Sequence, residues 1–141
     1  MDPGAWTKDG FLGDDPLGID RIDSDRALLA QFDVNAEELG VRLEELWNRA
    51  RTSEGEEYKP VPDVSVRIDE ARGRMPCPFG HPGLYRKGLM TVTTPDLRLM
   101  ISPLSIHMIK AHEFFGGRGS PFRLEPNQVV TLIRALPVDM P

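Results

Sequence analysis

Thiols and imidazoles are scarce in this sequence: one cysteine and three histidines among 141 residues. A single cysteine excludes an internal disulfide and fits a reducing compartment. Long apolar runs are missing as well. None approaches the roughly 18 residues needed to cross a bilayer, and the opening MDPGAWTKDG lacks the basic start and apolar block of a secretory signal. The expectation is a soluble, cytoplasmic protein with no membrane partner. There is no internal repeat, no low-complexity tract and no H-E-x-x-H pattern of the kind that marks a metalloprotease helix. What is present suffices for one domain of ordinary size, with 40% hydrophobic residues to build a core.

Charge is unevenly spread. Residues 1–70 carry 18 acids and 8 bases, whereas residues 71–141 carry 4 acids and 9 bases, within a total net charge of -5. Such a split lets the two halves dock as complementary faces, or lets the basic half meet an anionic partner. Arg86, Lys87, Lys110, Arg118 and Arg123 can contact phosphates, and Tyr85, Phe114, Phe115 and Phe122 can stack on bases. Against a general nucleic-acid binder stands a pI of about 5.2, because such binding is dominated by phosphate neutralisation.

Along the chain, residues 1–23 are rich in Gly, Asp and Pro and read as an acidic irregular arm. Residues 24–57 read as a helical segment: Ser24 can cap a short helix, and Asn35 is an N-cap with Glu38 at the capping-box position. Leu39, Leu43, Leu46 and Trp47 then recur at helical spacing. TSEGEEYKPVP breaks the pattern and reads as a linker. From residue 58 to 141 the expectation is an α+β module. Val64, Val66 and Ile68 alternate with polar residues as a half-buried strand. GLYRKGLMTVT and LRLMIS flank a Thr-Pro-Asp turn and predict a hairpin, with Gly88 marking a bulge. Ser102 and Pro103 open a helix running to about residue 115, with Gly116 as its stop, and PNQVVTLIRAL predicts a last helix.

The four scarce residues fall inside one window. Cys77 and His81 lie four apart in the turn CPFGH, and His107 and His112 lie five apart on the helix HMIKAH. Zinc prefers four N and S donors at the corners of a tetrahedron, and chains commonly supply them as two close pairs on two elements. Pro78 and Gly80 suit a tight turn that swings His81 back toward the thiolate. On an ideal α-helix, residues five apart project about 140° from each other, so the helix is expected to loosen near His112.

These residues resemble the classical ββα zinc finger, with histidine in place of its second cysteine, over residues 75–115. The resemblance implies a β-hairpin/helix unit and a structural zinc held by Cys77, His81, His107 and His112. It extends to the metal site and not to DNA reading. A closed coordination sphere leaves no position for substrate, so the expected function is non-catalytic: an interaction or regulatory protein whose zinc-stabilised unit faces a protein partner. A zinc-dependent hydrolase with an open metal position, with Glu113 as the nearest base, is the enzymatic alternative, and Cys77 as a nucleophile with a histidine base is another. Arg118 and Arg123 in FFGGRGSPFRLEP suggest phosphate binding less well than a helix stop and turn.

Overall fold

The computed structural model describes residues 19–52, 57–77, 84–116 and 123–140. The protein is mixed α+β, with helices α1 (Ile19–Ala30), α2 (Ala36–Arg51), α3 (Pro103–His112) and α4 (Pro126–Ala135) and strands β1 (Tyr58–Val61), β2 (Val64–Pro76), β3 (Leu84–Thr93) and β4 (Arg98–Ile101). The strands form one antiparallel sheet in the order β1-β2-β3-β4. No helix among the described residues is long and apolar enough to cross a membrane.

Local sequence chemistry accounts for most of these boundaries. At the start of α2 the Asn35 side chain accepts from the Glu38 N–H at 2.9 Å, satisfying a donor that the first turn leaves open. Ser102 does the same for Ser105 at 3.0 Å, with Pro103 opening α3. The β3–β4 hairpin closes where Thr94 N–H donates to Leu97 O at 2.8 Å and Leu97 N–H donates back to the Thr94 hydroxyl at 3.0 Å.

Other boundaries differ from expectation. Ser24 lies inside α1, which begins at Ile19. The part of the expected linker from Tyr58 to Val61 is a strand. Pro60 is tolerated because β1 is an edge strand whose register with β2 is irregular between Tyr58 and Val61. The bulge belongs to β2, opposite Gly88: Glu70 pairs with Gly88 and Arg74 with Arg86, so β2 carries two extra residues there. Gly88 also makes room for Trp47, whose ring would lie 3.1 Å from a Cβ.

Strand alternation builds one apolar sheet face. Val66 pairs with Val92, which pairs with Leu99, and Ile68 pairs with Met90, which pairs with Ile101. Leu39, Leu43, Leu46 and Trp47 of α2, Ile106 and Ile109 of α3, and Val129 and Leu132 of α4 belong to the same buried cluster. The stretch resembling a zinc finger is therefore not a separate unit: β3, β4 and α3 contribute to a core shared with α2 and α4. A second, smaller cluster gathers Cys77, Leu104, Met108 and Phe114, with Ile22 and Tyr85 packed against it.

Candidate metal centre

Cys77 follows the last residue of β2, Pro76, which is paired with Leu84 across the β2–β3 ladder. The ladder thus fixes the backbone immediately before the sulfur. Cys77 is 4% exposed and sits among Leu104, Met108 and Phe114, an environment that by itself suits a small core residue. Its polar neighbour sets it apart: Sγ lies 3.3 Å from His112 Nε2.

His107 lies in the middle of α3 and His112 is its last residue. The expected loosening before His112 does not occur. α3 stays α-helical through His112 and ends there, because Glu113 turns into the left-handed region at φ 55° while its N–H still reaches Ile109 O at 3.1 Å. The stop therefore falls three residues before Gly116. Its position has a packing reason: the turn sends Phe114 into the small cluster and Phe115 into the large core, each 1% exposed. Despite their angular separation on the helix, the two imidazoles meet edge to face, with centroids 5.0 Å apart.

One ligand atom from each of Cys77, His107 and His112 lies within 4.8 Å of the others. Among the described residues no other grouping of three or more Cys, His, Asp or Glu converges in this way. Bond lengths of 2.0–2.3 Å to a tetrahedral zinc place its ligand atoms about 3.3–3.6 Å apart. The sulfur–nitrogen pair already meets that spacing, and the remaining separations do not exceed 4.8 Å. His81 lies outside the described residues, four positions after Cys77.

Tyr85, on β3, contributes a contact that sequence reasoning did not assign to this site. Its hydroxyl lies 2.9 Å from His107 Nδ1, and its ring stacks on the imidazole at 4.2 Å between centroids and 23° between planes. Burial raises the Tyr85 pKa above the ordinary phenol value, and the nearby Cys77 adds to the effect. Tyr85 and His107 also line an open groove of about 490 Å³ between α2 and α3. No local pattern links residues 22 positions apart, so only the fold reveals this pair.

The charged groups near the site are engaged elsewhere. Glu113 receives Arg26 in a two-pronged ion pair at 2.9 and 3.0 Å, which orients its carboxylate toward α1. Arg123 is held by both oxygens of the buried Asp25 at 2.6 and 2.8 Å and donates to Gly116 O at 2.9 Å. Burial works against the Arg123 charge, but Asp25 and Glu125 together outweigh it and hold the guanidinium pKa above its ordinary value. Lys110 pairs with Glu44 at 3.2 Å. Of the other cations considered for phosphate contact, Arg118 and the side chains of Arg86 and Lys87 lie outside the described residues. The chain matches no protein family, no curated protein and no solved structure, so the geometry of the site carries the functional argument.

Proposed function

We propose that the protein binds one zinc ion through Cys77, His107 and His112, with His81 as fourth ligand, and acts as a non-catalytic interaction or regulatory protein. In this reading the ion ties the end of β2 to α3 and fixes a surface offered to a protein partner. The observation that carries the metal reading is the convergence of one sulfur and two imidazoles, from two different elements, to within 4.8 Å. A soft thiolate with imidazoles suits zinc and disfavours magnesium or calcium, which take oxygen ligands. A structural role follows from a fourth protein ligand, which closes the sphere. The engagement of Glu113 by Arg26 supports the same role, since the nearest candidate base is drawn away.

The close Cys77–His112 contact also has the form of a thiol nucleophile and its base. Cys77 is only 4% exposed, however, so the sulfur offers little surface to a substrate, whereas a metal ion needs only the lone pairs that Cys77 and His112 already turn toward each other.

Metal content and linked stability test the proposal. Purified protein should carry one zinc per chain, and zinc at about 1,000 times its Kd should raise unfolding free energy by about 4 kcal/mol, reversibly with a chelator. Cys77→Ser and His112→Ala should each remove that gain. Absence of bound metal, with no response of the melting temperature to zinc or chelator, overturns the reading. His81→Ala decides between closed and open coordination. A sharp loss of affinity supports the structural site, while unchanged affinity with an exchangeable water on the ion favours the hydrolase.

A further inference from the structure

We infer that Tyr85 is the positioning residue of the metal centre, its hydroxyl accepting the Nδ1–H of His107 so that this ring offers Nε2 to the ion; the inference rests on the metal reading above. A neutral imidazole has one nitrogen with a lone pair and one that carries hydrogen, and the hydrogen bond made by the second decides which faces the metal. For His107 the Nδ1 side is occupied by the Tyr85 hydroxyl at 2.9 Å. An ion on Nδ1 would have to displace that oxygen. Nε2 is shielded from solvent and belongs to the ring that meets His112 edge to face at 84°. His112 in turn presents Nε2 to the Cys77 sulfur. Both rings therefore coordinate through the same type of nitrogen.

The phenol restrains the His107 ring in two ways. The hydrogen bond fixes rotation within the ring plane, and the stack at 4.2 Å fixes the plane itself. The strand pair that ends at Cys77 also carries this device, because Tyr85 is paired with Met75, two residues before the sulfur. One hairpin end thus supplies a ligand and orients a second ligand that rides on α3.

Tyr85→Phe separates the two contributions, since it retains the stacked ring and removes the oxygen. Cobalt(II) alone is the probe, read by its visible absorption. The variant should bind cobalt on the order of 10- to 100-fold more weakly than wild type, with an altered absorption band and an unchanged melting temperature without metal. Nitrogen-15 spectra of wild-type protein loaded with zinc should show His107 protonated at Nδ1 and metallated at Nε2. Equal cobalt affinity and spectrum in the two proteins, or a His107 metallated at Nδ1, overturns the role of Tyr85 and leaves the metal reading standing. Should the variant not fold, the wild-type nitrogen spectrum decides alone. A wild-type protein that binds neither ion overturns both.

Discussion

The two buried clusters of this protein are held by different physics. The larger one collects 22 buried residues among those described, chiefly from α2, α4 and three strands, with α3 adding Ile106 and Ile109 and α1 only Leu29. Each fully buried Leu, Val, Ile or Met there is worth roughly 1.5–3 kcal/mol relative to exposure, so apolar burial suffices. The smaller cluster has four buried members, and one is the cysteine. It lies under the N-terminal part of the chain, with Ile22 packed on it and ion pairs from α1 reaching Arg123 and Glu113. The Arg26–Glu113 pair is largely exposed, so solvent screens it and it contributes little. The Asp25–Arg123 pair is buried and matters more. A metal ion added to this second region would supply what its small apolar content does not.

That contrast can be broken from either side. The largest effect is expected at Asp25→Ala, which leaves the part-buried Arg123 guanidinium without its main partner and should cost up to about 3–5 kcal/mol in denaturant unfolding. Amide exchange should accelerate more in α1 than in β3; equal acceleration would mean that the two regions are not distinct. Leu43→Ala, at a site 0% exposed in the large core, should cost about 2–5 kcal/mol and the same amount with or without zinc. A zinc-dependent cost at Leu43 would show that the ion supports both cores.

The smallest effect sharpens the picture at the two tyrosines. Burial raises the pKa of Tyr58 beside the large core and of Tyr85 beside the small one. The folded state therefore retains these protons where the unfolded chain has lost them. Stability is complete below the unfolded phenol value of about 10 and declines as pH rises from there through the folded values. Ultraviolet titration of the native protein should show neither of the two tyrosines ionising at the ordinary phenol pH.

Much of this architecture was legible because its signals are local. The Asn35 and Ser102 caps, the alternation of Val64 and Val66, and the Thr94–Leu97 turn each depend on residues within a few positions of one another. Signals failed where tertiary packing overruled them. Pro60 argues against a strand unless its edge position is known, and the polar run from Glu70 to Arg74 hides the continuation of β2. Glu113 carries no mark of a left-handed turn, and α3 ends there because Phe114 and Phe115 have separate destinations. The convergence of Cys77, His107 and His112 was expected from scarcity and spacing, whereas the part played by Tyr85 needed the sheet to be assembled first.

The close crossing of α2 and α3 carries a consequence for how an ion would be received. At Gly40 an added Cβ would lie 2.5 Å from the Lys110 Cβ, so any larger residue there must push α3 aside. Both histidines ride on that helix. The crossing therefore fixes where α3, and both imidazoles with it, sits in the core, so a cation would meet a half-cradle set by helix packing where a minimal finger peptide would have to fold around the ion.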